Sequence, residues 1–247
     1  MDILRKYAQN VLVTKHLESL LDYPRPSVAV DAAVLTVCDG TLQVLLIRRS
    51  QGHKSGEWSL PGTFVHPGET LARAVLRSLE SKAGVRGRSP RQLRVFDDPT
   101  RDERGWVMSV AHLDVVPCAA LEDAVSGSEV RLAPVGEAMD DGRDPALPYD
   151  HGSILRVAVD AVRAEYRNRP DPRGLLGEDF TLKELRELHE AVLGETLQRD
   201  TFRRAMSPAL LGTGRISDGG KGRPAALFQN RFLDLPNDAN DDGNDDE

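Results

Sequence analysis

Glu69, Arg77, Ser78, Glu80, Ser81 and Lys82 are the residues of this chain whose types and spacing bear most directly on chemistry. They belong to or border a predicted helix over about residues 70–83, which follows the loop from Gly56 to Gly68 and ends at Ala83-Gly84-Val85. Ser78, Ser81 and Lys82 stand at i, i+3 and i+4, so their side chains share one helical face. That face offers two hydroxyls and an ammonium. Mg2+ demands near-octahedral oxygen ligands, usually carboxylates together with substrate phosphates. Between residues 69 and 84 only Glu69 and Glu80 are carboxylates, and Glu80 is rotated off the face. Lys82 turned inward would repel a cation and attract a phosphate directly; turned outward it would be a solvated helix end favoured by the macrodipole. Metal-assisted hydrolysis needs a held cation to neutralise developing charge and activate water. No catalytic residue and no metal ligand are therefore assigned, and His53, His66, His112, His151 and His189 form no ligand-spaced pair.

The elements that must position this helix are strand-rich. Ser27–Val37 and Leu42–Arg49 are apolar, β-prone runs on either side of Asp39-Gly40, a dipeptide that favours a tight hairpin turn. The helix carries Ala72, Val75, Leu76 and Leu79 at i, i+3, i+4 and i+7 as its expected buried stripe. Leu93–Phe96 and Trp106–Val116 are further expected strands, flanking the polar loop Asp97–Gly105. An amphipathic helix is expected within residues 1–24, ended by Pro24 and Pro26. The pattern predicts an α/β layered domain over about residues 25–149, strand-rich with one central helix. A bridging helix from His151 to about Arg167, with Asp150 as its cap, and a Pro- and Gly-containing connector extend it through residues 150–174.

A second domain, residues 175–234, opens with clear helix grammar. Thr181-Leu182-Lys183-Glu184 is a capping box, and Phe180 and Leu185 stand at the hydrophobic-staple positions. Leu182, Leu185, Leu188 and Val192 form its expected stripe, and Gly194 ends it. A shorter helix starts near Asp200, an expected N-cap, and runs to Met206 before Pro208, which shortens or kinks it. The Gly-rich basic segment Arg215–Pro224 then precedes the strand Ala225–Gln229. Helix, turn, helix and basic wing are the order of a winged helix-turn-helix, whose second helix meets base edges in the major groove. Arg199, Thr201, Arg203 and Arg204 are the expected contacts on that helix, with Lys221 and Arg223 on the wing opposite phosphates. The plainer reading leaves Phe202 and Met206 as core and the arginines as a solvated face.

Charge supports a polyanionic partner only locally. The 247 residues carry a net charge of −7, but Asp238–Glu247 alone holds six acids and no base. Between Glu195 and Arg231, seven bases oppose three acids, a local charge of +4. Residues 235–247 are expected to be a disordered acidic tail. No run of about 18 apolar residues and no secretory leader are present, so no membrane partner is expected and a cytoplasmic location is. Cys38 and Cys118 are expected to be buried free thiols in a reducing compartment.

Aligned on Glu69, Arg77, Leu79, Gly84 and Val85, residues 56–85 resemble a Nudix box, G-x5-E-x7-R-E-U-x-E-E-x-G-U, in which U is aliphatic. Ser78, Ser81 and Lys82 occupy its metal-binding glutamate positions. Val44–Arg49, Trp58–Gly62 and Phe96–Ala111 resemble segments of ADP-ribose-type Nudix proteins in the right order. With Leu147-Pro148-Tyr149-Asp150-His151, Phe180–Leu193 and Gly222-Arg223-Pro224-Ala225, the chain to about residue 232 resembles the Nudix-related transcriptional regulators of NAD metabolism, the NrtR group. That resemblance implies a Nudix α/β/α sandwich with a mixed sheet followed by a winged helix-turn-helix, and a bacterial homodimeric repressor on a palindromic double-stranded operator. It implies ADP-ribose or a related nucleotide as effector, with no required cofactor. Arg48, Arg49, Gly62, Thr63, Phe64, Glu69 and Arg101 are the effector-binding residues it points to. Relatives in the group also regulate sugar utilisation. The rival is a working nucleoside-diphosphate hydrolase, drawing ligands from outside the box, such as Glu103, Glu122 or Glu137 beside Glu69. A scaffold that binds neither nucleotide nor DNA is a third reading.

Overall fold

Alternation along one long strand builds the first domain. In the computed structural model, β1 (Ser27–Cys38) turns Val30, Ala32 and Val34 to one side and Ala33 and Leu35 to the other. Both sets are buried, so β1 must be central, with a layer on each face. It pairs in parallel with β6 (Val107–Val115) and antiparallel with β2 (Thr41–Arg48) and β4 (Gly62–Phe64). The sheet is completed by β3 (Trp58–Ser59) and β7 (Val130–Pro134) on β2, and by β5 (Arg91–Phe96) on β6, giving seven strands of mixed direction. At the β1–β2 turn, Asp39 and Gly40 have φ of 51° and 69°, the positive pair that a tight hairpin requires. Residues 23–140, 142, 146–217 and 224–232 are described by the structure; the expected N-terminal helix, the acidic tail, Lys221 and Arg223 lie outside the described residues.

Helix α1 (Leu71–Ala83) covers one face of the sheet. Thr70 caps it by accepting from the Arg73 amide, and Gly84 ends it in the left-handed region at φ 67°. The buried stripe differs from expectation. Ala74, Val75, Ser78, Leu79 and Ala83 are buried, whereas Ala72 and Leu76 face outward. The i, i+4 ridge 75–79–83 meets the sheet, and Leu76 falls one residue beyond that contact line.

The opposite face is covered by a short helix, α2 (Val135–Ala138), by α3 (His151–Tyr166) and by α4 (Leu182–Leu193). Ile154, Leu155, Ala158, Val159 and Val162 of α3 share a core with Leu188 and Val192 of α4. The second domain is thus seated on the first through a common apolar layer. Its own core is Phe180, Leu185, Phe202, Met206 and Leu210, closed by β8 (Phe180–Thr181), α5 (Arg199–Met206), β9 (Leu210–Ile216) and β10 (Ala226–Asn230) in strand order β8-β10-β9. The capping box is made in both directions. The Glu184 amide donates to the Thr181 hydroxyl, and the Thr181 amide donates to the Glu184 carboxylate at 2.7 Å. Helix α5 starts one residue before Asp200. Its cap is Gln198, which accepts from the Thr201 amide, while Asp200 pairs with Arg203 across one turn. Pro208 ends α5 in a 3-10 turn, Ser207–Ala209.

Cys38 and Cys118 are not free thiols: they form a disulfide, with Cα atoms 5.5 Å apart. The parallel register explains the pairing. Leu35 is opposite Val115, so each cysteine lies three residues beyond a matched pair, and the chain after β6 passes beside the end of β1. The cysteines therefore give no support to a reducing compartment. No helix among the described residues is long and apolar enough to cross a membrane.

Candidate functional site

A single charge inside an apolar strand anchors the site. Asp31, on the same face of β1 as Ala33 and Leu35, is 5% exposed and accepts from the Ser109 hydroxyl at 2.6 Å. Arg101 approaches it at 3.5 Å and His151 Nε2 at 3.4 Å. Leu60's amide donates to His151 Nδ1 at 3.1 Å, so a neutral His151 carries its proton on Nε2, toward Asp31. Burial opposes the charge on Asp31, but His151, Ser109 and Arg101 outweigh it and hold the carboxyl at about 2. Gly62 is required beside it. A Cβ there would sit 1.9 Å from Asp31 Oδ1.

Around this anchor, Arg49, Gly62, Thr63, Phe64, Lys82, Arg101, Asp102, Arg104, Tyr149 and His151 line a cleft beside the first half of β1. Arg49, just beyond β2, lies over the Tyr149 ring at 5.4 Å and reaches the Tyr149 hydroxyl at 3.4 Å. Arg104 lies 5.2 Å from the Tyr149 ring and 5.5 Å from that of Phe64, while Asp102 accepts from it at 2.9 and 2.6 Å. Lys82 leaves the end of α1, and its ammonium donates to the Gly62 carbonyl inside the cleft. Burial of that ammonium lowers its pKa, the Arg49 charge lowers it further, and Asp31 partly compensates. Cations and aromatic faces together suit a ligand with anionic groups and a π-system.

Four of the expected effector residues, Arg49, Gly62, Thr63 and Phe64, line this cleft with side chain or backbone. Arg101 also lines it but is committed elsewhere. It donates to both oxygens of Asp150 at 2.8 and 2.6 Å, which makes it a buried strut. Asp150 precedes α3 yet makes no side-chain cap, because Arg101 takes its carboxylate. Arg48 points away, to the Gly56 carbonyl and Glu129; alternation along β2 sends neighbouring side chains to opposite faces. Glu69 does not line the cleft. Its two oxygens accept from Arg77 at 2.7 and 2.8 Å, and that hydrogen bonding, with the His66 amide, holds its carboxyl at about 2. Sequence reasoning does not mark Asp31, Asp102, Arg104, Tyr149 or His151 as cleft residues. The lone acid in Val28–Val37 is a signal for the first, and nothing local points to the rest.

Ser78 is buried, its hydroxyl without a hydrogen-bond partner, and lies outside the cleft. Ser81 donates to the Arg77 carbonyl at 2.7 Å, and Glu80 pairs with Arg86 at 2.8 Å. Among the described residues, no group of three His, Cys, Asp or Glu is placed to hold a metal ion.

On the second domain, Arg199, Thr201, Arg203 and Arg204 are all exposed along α5, while Phe202 and Met206 point into the core. Arg199 and Arg203 rim an apolar groove with Lys183, Arg186, Phe202 and Phe228. The aromatic ring of His189 on α4 joins the domains: it meets Tyr166 edge-on at 5.3 Å and Phe202 of α5 at 5.0 Å.

Residues 28–156 match the NUDIX domain, and residues 172–230 match the NrtR DNA-binding winged helix domain. A protein of Acinetobacter baylyi described as an ADPR responsive transcriptional repressor is 31% identical over 212 residues, covering 84% of this chain and 83% of its own. The chain belongs to the NrtR family. Among solved structures, Shewanella oneidensis NrtR complexed with a 27mer DNA superposes with a TM-score of 0.69 at 32% identity, over 82% of this chain and 93% of that one. The NUDIX domain of Shewanella oneidensis NrtR complexed with ADP ribose gives 0.50 at 27% identity, over 65% of this chain and 99% of that one. Both halves of the family architecture, mixed-sheet Nudix domain and winged helix, are thus present in this chain.

Proposed function

We propose that this chain is a DNA-binding transcriptional repressor whose Nudix domain senses ADP-ribose. One observation carries the reading. Helix α3 begins at the cleft, where Tyr149 and His151 line it, and ends at Tyr166, which packs on His189 and so against α5. A ligand that moves the start of α3 therefore acts on the same rigid element that seats the second helix of the winged domain. The DNA and ADP-ribose complexes of the Shewanella relative and the repressor description of the Acinetobacter relative support the same assignment.

In this reading Arg49 engages the diphosphate and the Phe64 and Tyr149 rings accept a base or ribose face. Arg199, Thr201, Arg203 and Arg204 contact a palindromic operator as a homodimer, in the upstream DNA of NAD biosynthesis or salvage genes. The chain responds to the nucleotide without hydrolysing it, since the box helix presents no set of free carboxylates. ADP-ribose need only favour one arrangement of the two domains. A coupling of about 1–3 kcal/mol weakens operator binding about 5–150-fold. In a mobility-shift titration with the chain's own upstream DNA, ADP-ribose is expected to release the protein. An unchanged shift at saturating ADP-ribose would overturn the effector assignment, and no shift without it would overturn the DNA assignment.

A further inference from the structure

The Nudix fold implies a divalent cation held by box carboxylates, and the residues here do not fit one. Of the box acids, Glu69 is held by Arg77 and Glu80 by Arg86. The cleft acids are also engaged: Asp31 by Ser109, His151 and Arg101, and Asp102 by Arg104. A hard cation takes several oxygen ligands at once; Glu69, Asp31 and Asp102 are held by buried or part-buried partners, and Glu80, in an exposed pair, does not line the cleft.

What the cleft holds instead is positive charge. Arg49, Lys82, Arg101 and Arg104 line it, against Asp31 and Asp102. Arg101 is neutralised by Asp150, and Arg104 by Asp102. Arg49 and Lys82 remain, partly offset by Asp31, and both are anchored through backbone carbonyls, those of His53 and Gly62. A carbonyl orients a cation without cancelling its charge. An ammonium has three donors, so Lys82 keeps two for a ligand after bonding Gly62.

We propose that the Lys82 ammonium takes the place of the divalent cation, so that this cleft binds a nucleoside diphosphate such as ADP-ribose without any metal. This rests on the nucleotide-sensing reading above and specifies how the anion is held. The geometry assigns Lys82 and Arg49 to the diphosphate oxygens. Fixed protein charges stand where a metal's would, and no bound water is activated. A resident ammonium neutralises the diphosphate yet supplies no nucleophile, which is what a sensor that preserves its effector requires.

Isothermal titration of the full chain with ADP-ribose, in EDTA and again in excess Mg2+, tests this. Equal affinity in both buffers is expected for the unaltered protein. Lys82→Gln is expected to weaken binding about tenfold or more in both buffers, since a charge-assisted hydrogen bond is removed. Lys82→Glu is expected to bind poorly in EDTA and to recover in part with Mg2+, while Lys82→Arg keeps metal-independent binding. Binding that requires Mg2+ in the unaltered protein would overturn the inference and leave the sensor reading standing. So would an unchanged affinity in Lys82→Gln. No heat in either buffer would overturn the nucleotide reading, and this inference with it.

Discussion

Arg101 and Asp150, separated by 49 residues in sequence, make a two-pronged ion pair beneath the cleft, with N–O distances of 2.8 and 2.6 Å. It ties the loop between β5 and β6 to the residue that opens α3. Asp31 also lies 3.5 Å from the same guanidinium, so removing Arg101 leaves Asp150 without its ion pair and Asp31 with Ser109 and His151 alone. Arg101→Ala is expected to cost about 3–5 kcal/mol of stability, the range for breaking a buried pair. Urea denaturation followed by fluorescence would read this as a lower midpoint; an unchanged midpoint would return Arg101 to the role of a free ligand contact.

Arg48 and Arg49 are adjacent in sequence but differ in role. Arg49→Ala is expected to reduce ADP-ribose affinity by about 10–100-fold, the range for losing hydrogen bonds to a charged group. Arg48→Ala is expected to change it less than about twofold, because its pairing with Glu129 is exposed and worth little. Equal reductions in a calorimetric titration would contradict the alternation that separates them.

On the winged domain, Arg203→Ala with Arg204→Ala is expected to abolish the operator shift while leaving the fold intact, since both side chains are exposed. Removing one arginine–phosphate ion pair lowers the slope of log affinity against log salt by about one. Full retention of affinity, or an unchanged salt slope at residual affinity, would move DNA binding away from α5.

His189 gives a pH dependence. The residue is 1% exposed, and burial depresses its pKa to about 4, partly offset by a hydrogen bond to the Tyr166 backbone. Between pH 6.5 and 4 the unfolded chain binds a proton that the folded chain refuses. Stability therefore falls as pH drops through that window, by up to about 3 kcal/mol at about 1.36 kcal/mol per pH unit. His189→Leu is expected to flatten the melting temperature of the winged domain over the same range. A slope identical to that of the unaltered protein would assign the acid sensitivity elsewhere.

Gly62→Ala is expected to disturb the cleft more than its size suggests. The added carbon would displace the Asp31 carboxylate, which backbone pairing holds opposite it. Loss of ADP-ribose binding with a folded chain is the expected result; unchanged affinity would show that Asp31 can move without consequence.

Much of this molecule is legible in the order of its residues. Asp39-Gly40 marks a hairpin, Gly84 ends a helix, and Thr181–Glu184 spells a capping box, because turns and caps are local and each is specified by a few neighbouring residues. Ser78, Ser81 and Lys82 likewise declare from type alone that no carboxylate face is present. What cannot be read are relations between distant segments. Arg101 resembles a ligand contact until Asp150 is beside it, Arg48 until the pleat of β2 turns it outward, and Cys38 a free thiol until the parallel register of β1 and β6 sets Cys118 against it. The cleft itself brings together β1, the end of β2, β4, α1, the β5–β6 loop and the start of α3. Arg104 takes Asp102 two residues away, but Arg101 takes Asp150 from 49 residues away, and sequence spacing carries no information about that pairing.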